Sequence, residues 1–265
     1  MSILITPEQP YRSGNQYLID VINARKATPI SLQDKRIKTL LSTIDVWAGK
    51  QLADKFISGS TAKGTSILGC SDLDLFISLK ADTNLTLKQI FNSLHDTLKK
   101  EFSVRKQNVS IRVVHNKLQI DIVPGKKMPY QTHWHFLYTN RRQDQERIQT
   151  NVNNHVNMVI NSGRINEIIA LKVWRKINKL DFPSMYLERY AIDALHGKWS
   201  GKTHLTDNFL YVLTHIAKYF STTAVYDPSN SNNVISHSLY KYEKEEIQNA
   251  AIKSLKNDYL SHIIY

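Results

Sequence analysis

The spacing of hydrophobic residues along the chain changes near residue 150. Before this point, stretches with apolar residues every three or four positions, which predict helices, alternate with stretches in which every second residue is apolar, which predict strands. After it, only the helical spacing recurs. The predicted helices are 14–27, a segment after Ser31, 87–102, 156–180 with a break at Gly163, 186–195, 208–220 and 239–255.

The predicted strands all lie in the first half of the chain. The segment FISGSTAKGTSILGCSDLDLFISL, Phe56 to Leu79, reads as a strand, a turn and a second strand. A hairpin is predicted from 109–113 and 118–123, and Pro124-Gly125 are expected to end its second strand. Residues 133–149 fit either a strand or a loop.

The change of pattern predicts an α+β fold with two lobes. We expect a mixed β-sheet with flanking helices in residues 1–150, where the N-terminal helix braces the lobes, and a helical domain in residues 151–265.

Basic residues are in clear excess. Lysine and arginine outnumber aspartate and glutamate by 35 to 23, a formal net charge of +12. This charge favours nucleotides, nucleic acid or an anionic membrane as partners, although an ordinary solvated surface gives the same count. Cys70 is the only cysteine, which excludes an internal disulfide and a zinc knuckle and fits a reducing, cytoplasmic location. Neither an apolar run of about 18 residues nor a signal peptide is visible, so we expect no membrane association.

Two acidic residues, Asp72 and Asp74, lie on the second strand of the Phe56–Leu79 segment. Because strand side chains alternate, both carboxylates project from one face while the apolar residues between and after them point into a core. Two acids side by side repel each other unless a cation lies between them, and Mg²⁺ prefers such hard oxygen ligands. The pair therefore predicts a magnesium site.

A third acid, Asp121, lies on the polar face of the second hairpin strand. Two-metal phosphoryl-transfer sites use carboxylates that bridge ions about 3.5–4 Å apart, and a same-face pair plus one acid on a neighbouring strand can supply them. An isolated strand aspartate more often caps a turn or pairs with a basic residue, and for Asp121 taken alone this is the favoured interpretation. For the pair that follows the Gly-Ser turn, metal binding is favoured.

The turn at Gly59-Ser60 lies where the first strand gives way to a predicted short helix. Backbone N–H groups at such a position bind phosphate oxygens, glycine allows close approach, and the serine hydroxyl adds a donor. The string GSTAKGT is not a Walker loop, because Lys-Gly-Thr stands where Gly-Lys-Thr is required.

The string GSTAKGTSILGCSDLDLFI resembles the nucleotidyltransferases of the DNA polymerase β superfamily. Within that superfamily it is most similar to the group of archaeal-type CCA-adding enzymes, oligoadenylate synthases and bacterial relatives of cyclic GMP-AMP synthase. The resemblance implies that Asp72 and Asp74 bind two Mg²⁺ ions, with Mn²⁺ as an alternative. It also implies that Asp121 is the third metal-binding carboxylate and helps to activate the attacking hydroxyl. Gly59 and Ser60 would hold the β- and γ-phosphates.

The resemblance extends into the helical half of the chain. IALKVWRKIN resembles the family helix whose lysine reaches the triphosphate, which implies that role for Lys172; a solvated helix lysine is the alternative. PSMYLERYAIDAL resembles the following helix, in which Ser184 matches a hydroxyl that contacts the triphosphate. Tyr186 either stacks on the base or is a core tyrosine.

Three further segments have weaker signals. DPSNSNNV, Asp227 to Val234, resembles an Asp-Pro loop of the synthase branch or is an ordinary polar loop. The basic cluster of Arg141, Arg142 and Arg147 lines a nucleic-acid groove or is simply solvated. The apolar tail, residues 259–265, is expected to dock on the core.

The resemblance implies attack of a nucleotide hydroxyl on the α-phosphate of a nucleoside triphosphate, with ATP the expected donor and pyrophosphate released. The acceptor stays open between three hypotheses. The chain makes a short linear or cyclic oligonucleotide signal in bacterial antiviral defence, read by a downstream effector protein; or it adds nucleotides to the 3′ end of tRNA or another RNA; or it is a nucleotide-binding regulator without turnover.

Overall fold

The computed structural model describes residues 13–69, 72–140 and 147–265. These residues form two compact units. The sheet unit contains 28–64, 72–140 and 147–156, and the helical unit contains 13–27, 65–69 and 157–265. Each unit is thus assembled from separated parts of the chain, whereas the division at residue 150 expected from the sequence is continuous and stays a prediction.

The sheet unit is built on a seven-stranded mixed sheet. The strand order is β1-β2-β5-β4-β3, and β6 pairs with the second half of β5 and with β7. The pairing of β2 with β5 is parallel and the others are antiparallel. The strands are β1 Leu52–Ile57, β2 Leu73–Leu79, β3 Ser103–Lys106, β4 Ile111–His115, β5 Leu118–Met128, β6 Gln131–Tyr138 and β7 Arg147–Thr150.

Helices lie close to the predicted positions, and the break predicted at Gly163 is confirmed by a left-handed φ of +67° between two helices. The α-helices are α1 Gly14–Arg25, α2 Lys38–Ala48, α3 Gly59–Ala62, α4 Leu87–Leu98, α5 Val152–Asn161, α6 Ile165–Ile177, α7 Ser184–Ala194, α8 Leu205–Tyr219 and α9 Lys241–Ser254. The shorter elements are the 3₁₀ turns Lys35–Ile37, Gly49–Gln51, Lys202–His204, Ile235–Ser238 and Leu260–His262, and the two-stranded ribbon β8 Tyr226–Asp227 and β9 Asn230–Val234.

One boundary prediction is wrong, because β5 does not end at Pro124-Gly125. The strand continues to Met128. Pro124 lies between the residues of β5 that pair with β4 and those that pair with β6, so its missing N–H falls where the strand changes neighbours. A Cβ on Gly125 would lie 2.5 Å from the Phe76 ring, so glycine here lets that ring pack on the strand.

Each unit has its own hydrophobic core. In the sheet unit, Leu73, Leu75 and Ile77 are buried as the alternation predicts, and they join the apolar stripes of α2 and α4. In the helical unit, Ile263 and Ile264 of the tail are buried in the core, and the Tyr17 hydroxyl donates to the Ile264 carbonyl at 3.0 Å. Docking of the tail on the core is therefore confirmed. No helix in the described ranges is long and apolar enough to cross a membrane.

His135 on β6 is a polar residue in the interior of the sheet unit, with 4% of its surface exposed. Its Nε2 lies 2.8 Å from Oγ of Ser78, and its ring packs edge-on against Phe76 with centroids 4.9 Å apart. Burial, reinforced by the charge of Lys127, lowers the pKa of His135 to about 4. The folded protein therefore holds this imidazole neutral.

We predict that His135 makes folding stability depend on pH. Its pKa is lower in the folded than in the unfolded chain, so its contribution is complete above pH 6.5 and is lost as the pH falls towards 4. The expected loss is about 2 kcal/mol after allowance for solvent screening. Urea unfolding at pH 7 and pH 4.5 should show a smaller decline for His135→Gln than for the wild type. Exposed His196→Gln is the control, and identical declines for all three proteins would contradict the prediction.

Candidate active site

Asp72 and Asp74 lie at the start of β2. Asp72 immediately precedes the strand, Asp74 is its second residue, and Leu73 between them is almost fully buried. The parallel register of β2 and β5 puts Asp121 directly beside Asp74. Hydrogen-bonded strands lie about 4.8 Å apart, so these two carboxylates leave neighbouring strands on one face of the sheet. The structure thus brings together the three acids identified in the sequence.

The three carboxylates repel one another. Burial, followed by the charges of Asp121 and Asp72, raises the pKa of Asp74 to about 6. The charge of Lys63 and a hydrogen bond from the Ser60 backbone N–H act in the opposite direction but do not cancel the rise. Burial and the neighbouring acids thus both disfavour the charged form of Asp74, and a bound cation would stabilise that form.

The Gly59-Ser60 turn is built around the side chain of Asp74. Gly59 has a φ of +59°, and a Cβ atom there would lie 1.7 Å from Oδ2 of Asp74. Glycine is therefore needed both for the left-handed backbone and for the close approach of the carboxylate. The preceding Ser58 N–H donates to the Asp74 carbonyl at 2.8 Å. The turn holds Asp74 in place, and the phosphate contacts of Gly59 and Ser60 stay predictions.

Arg112 on β4 is a site residue that the sequence analysis missed. It pairs in register with Asp121, and its Nε and Nη2 donate to the two carboxylate oxygens of Asp121, each at 2.8 Å. Nη2 also donates to Oδ2 of Asp72, and the Arg112 charge opposes the rise in pKa that burial causes at Asp72. The alternation of β4 could have revealed it, because Arg112 falls on the polar face opposite Asp121.

These side chains fit a divalent cation that prefers oxygen ligands. All three candidates are carboxylates on adjacent strands, and burial and mutual repulsion raise the pKa of both Asp72 and Asp74. Mg²⁺ and Mn²⁺ bind such groups. Within the described ranges, no three His, Cys, Asp or Glu side chains are gathered closely enough to surround an ion. Asp72 and Asp74 would hold the ion first, with Asp121 beside them and bonded to Arg112.

Lys172 on α6 is buried, with 2% of its surface exposed. Its ammonium lies 2.7 Å from Oε1 of Glu188, which is completely buried, and donates to Oγ1 of Thr65 at 2.8 Å. These contacts lie within the helical unit and join α6, α7 and the segment that begins at Thr65. The predicted triphosphate contact of Lys172 stays a prediction, and its alternative as a solvated lysine is wrong because the side chain is internal.

Ser184 and Tyr186 lie on the first turn of α7. The Ser184 Oγ accepts a hydrogen bond from Arg175 at 3.1 Å. Tyr186 is completely buried, and its ring stacks on Phe220 with centroids 4.8 Å apart. This packing is that of a core tyrosine. Triphosphate binding by Ser184 and base stacking by Tyr186 stay predictions, and the burial of Tyr186 gives the stacking role no support.

The weaker signals have mixed outcomes. Asp227 begins a tight turn between β8 and β9, in which it accepts from the Ser229 N–H at 2.8 Å. Arg147 lies over the Phe136 ring, 5.2 Å from its centroid. The other two members of the basic cluster, Arg141 and Arg142, lie outside the described residues, as does Cys70.

The chain matches the Second Messenger Oligonucleotide or Dinucleotide Synthetase domain over residues 15–162, more than half of its 265 residues. It belongs to this family. The resemblance to the polymerase β-like nucleotidyltransferases is therefore confirmed. This synthetase is a nucleotidyltransferase that uses nucleoside triphosphates to make an oligonucleotide or dinucleotide messenger, as the first of the three hypotheses predicted. A role in antiviral defence stays a prediction.

Solved structures confirm the two-lobed α+β nucleotidyltransferase fold. CdnG of Bradyrhizobium diazoefficiens with GTP has a TM-score of 0.68 and 12% identity, over 93% of this chain and 92% of that chain. CdnE of Elizabethkingia meningoseptica, a cyclic dinucleotide synthase with GTP and Apcpp, has a TM-score of 0.67 and 13% identity, over 92% of this chain and 100% of that chain. CdnC of E. coli MS115-1 in its HORMA-deltaN complex has a TM-score of 0.66 and 17% identity, over 91% of this chain and 89% of that chain. No curated protein matches the chain.

We predict that Gly59→Ala lowers turnover at least about a hundredfold, because the new Cβ displaces the carboxylate of Asp74 by an ångström or more. The left-handed backbone adds about 1 kcal/mol of destabilisation. Gly197→Ala is the control, since Gly197 has a φ of +74° but nothing within 4 Å of an added Cβ. Turnover and urea unfolding of both variants separate displacement from strain. Normal turnover in Gly59→Ala would contradict the argument.

We predict that Lys172→Met destabilises the protein by about 3–5 kcal/mol, because it leaves Glu188 buried without its cation. The double variant Lys172→Met/Glu188→Met should regain most of that stability in urea unfolding.

The double variant also tests the predicted triphosphate contact of Lys172. If Lys172 binds triphosphate, ATP affinity stays low after stability is regained; wild-type affinity would contradict that contact. Lys176→Met, one turn further along α6, controls for the loss of a lysine charge.

Proposed function

We propose that this synthetase uses two Mg²⁺ ions, held by Asp72, Asp74 and Asp121, to join nucleoside triphosphates into a short linear or cyclic oligonucleotide. The observation that carries the proposal is the parallel register of β2 and β5, which puts Asp121 beside Asp74. Membership of the synthetase family supports the reaction class.

The residues of the sheet unit have separate parts in the proposed reaction. Divalent cations at such a site lower the pKa of the attacking hydroxyl and neutralise charge on the triphosphate. The Gly59-Ser60 turn orients Asp74 and offers backbone donors to phosphate oxygens. Asp121 would help to activate the hydroxyl of the acceptor nucleotide. Catalysis then comes mainly from positioning and electrostatic stabilisation.

The donor and partners are also proposals. GTP is bound in the solved CdnG and CdnE structures, and both nucleoside triphosphates ATP and GTP are candidate substrates here, with ATP as first donor. CdnC was solved in complex with a HORMA protein, which makes a protein partner for this chain a reasonable target of pull-down experiments. We propose that the reaction takes place in the cytoplasm, where nucleoside triphosphates are available, and that a downstream effector protein binds the product.

Product analysis tests the proposal. The purified protein is incubated with Mg²⁺ and radiolabelled ATP, GTP, CTP and UTP, with and without tRNA. We expect labelled oligonucleotides without RNA, because the family makes oligonucleotide or dinucleotide messengers. The label is placed on the α-phosphate, so it is kept in phosphodiester bonds. Phosphatase removes the 5′ triphosphate of a linear product and changes its migration, whereas a cyclic product has no terminal phosphate and migrates as before. Label found only on added RNA would overturn the proposal in favour of 3′-end addition.

We predict that Asp72→Asn with Asp74→Asn lowers product formation at least about a thousandfold, because the neutral amides hold a divalent cation poorly. The folded state should persist, because the amides are close to the carboxylates in size and remove two buried or partly buried charges that repel Asp121. Circular dichroism and thermal unfolding check the fold. The double variant Asp54→Asn/Asp82→Asn, which changes two exposed acids, is the control. Product at wild-type level in the first variant would place the metal site elsewhere.

A further inference from the structure

The guanidinium of Arg112 is shared between two of the three carboxylates. It binds both oxygens of Asp121 in a forked arrangement at 2.8 Å and also donates to Oδ2 of Asp72. Its remaining nitrogen, Nη1, donates to Gln119 at 3.2 Å. The hydrogen bonds to Asp121 raise the pKa of Arg112, so the group stays charged. Such a planar fork fixes the orientation of a carboxylate more firmly than a lysine can.

The site is asymmetric because the groups that contact Asp74 differ from those that contact Asp72 and Asp121. The Gly59-Ser60 turn and the charge of Lys63 act on Asp74, whereas Arg112 bonds to Asp72 and Asp121. A carboxylate oxygen that accepts from a guanidinium has less electron density and fewer free directions for a cation. The charge of Arg112 orients the Asp121 carboxylate and therefore also weakens the attraction of that carboxylate for a divalent cation.

We propose that Arg112 is a positioning residue that orients Asp121 and Asp72 for nucleotidyl transfer and competes with the divalent cation for their oxygens. This inference rests on the proposed function, since it gives Asp121 and Asp72 the role of metal ligands. Arg112 has two separable effects: its charge weakens cation binding, and its fork sets the geometry of the carboxylates. Removing the charge and removing only the fork should therefore have different consequences.

Arg112→Met removes both the charge and the fork. We expect its affinity for Mn²⁺, without nucleotide, to rise about tenfold, because a cation in contact with two partly buried acids is gone. Its turnover should fall about tenfold to a hundredfold, because Asp121 and Asp72 lose their orienting partner. Tighter metal binding with slower turnover is a combination that a purely structural role does not produce.

Arg112→Lys keeps the charge but loses the fork. We expect Mn²⁺ affinity within about threefold of the wild type and turnover reduced about tenfold, because an ammonium cannot bond both oxygens of Asp121 in a plane. Arg105→Met is the matched control. Arg105 lies opposite Arg112 on β3, so this variant removes an equal charge one strand further from the acids. It should leave both measurements within about twofold.

Mn²⁺ binding is measured from the electron paramagnetic resonance signal of the free ion, and separately from the rise in Tm that Mn²⁺ causes over EDTA-treated protein. The second measurement should give a larger rise for Arg112→Met than for the wild type. Circular dichroism checks that the variants fold. If Arg112→Met does not fold, Arg112→Gln, which also removes the charge but keeps a hydrogen-bonding group, replaces it.

Unchanged or weaker Mn²⁺ binding in the folded, uncharged variant would overturn the inference, as would unchanged turnover. Failure of the proposed function has a different result: the wild-type protein would form no oligonucleotide, while the Mn²⁺ measurements on Arg112→Met would still report whether the arginine competes for the carboxylates.

Discussion

The burial of Asp74 beside the carboxylates of Asp72 and Asp121 is the constraint on which the sheet unit depends. The pKa of Asp74 rises from 3.8 to about 6, which corresponds to about 3 kcal/mol of unfavourable free energy for its charged form. Burial is the largest cause of this rise, and the charges of Asp121 and Asp72 add to it. An apolar strand would carry no such penalty. A cation bound at this position would offset the unfavourable free energy of the charged carboxylate.

The rest of the sheet unit provides a rigid frame for these carboxylates. Leu75 and Ile77 bury the opposite face of β2 in the core, so the strand cannot rotate to separate its acids from Asp121. The absence of a side chain on Gly59 lets the turn close over Asp74, and Arg112 reaches the other two carboxylates from β4. Packing of β2 on the core and the Gly59 turn thus fix the positions of the acids, while Arg112 neutralises part of their charge.

Much of this frame could be predicted because it depends on local periodicity. Alternation along β2 separates Asp74 from the buried Leu75, and that pattern is visible in the sequence. Arg112 was missed because its importance comes from strand register, which pairs it with Asp121. The end of β5 was wrong for a related reason: proline breaks a ladder only where its N–H is needed, and Pro124 lies at a change of neighbours.

In the helical unit, the sequence did not reveal which charged residues are buried, because the spacing of residues along a helix does not show how two helices pair. Lys172 and Glu188 are sixteen residues apart in sequence and on different helices, yet they form a buried pair with Thr65. Within that pair each charge already has its partner, and no external ion is required. Among the residues that the structure describes, Arg112 and Lys63 are the cations that act on Asp72, Asp74 and Asp121. A buried charge that already has its partner needs no ligand, whereas a cluster with an excess of one sign is arranged for one. This difference separates the two groups of ionisable residues in this synthetase.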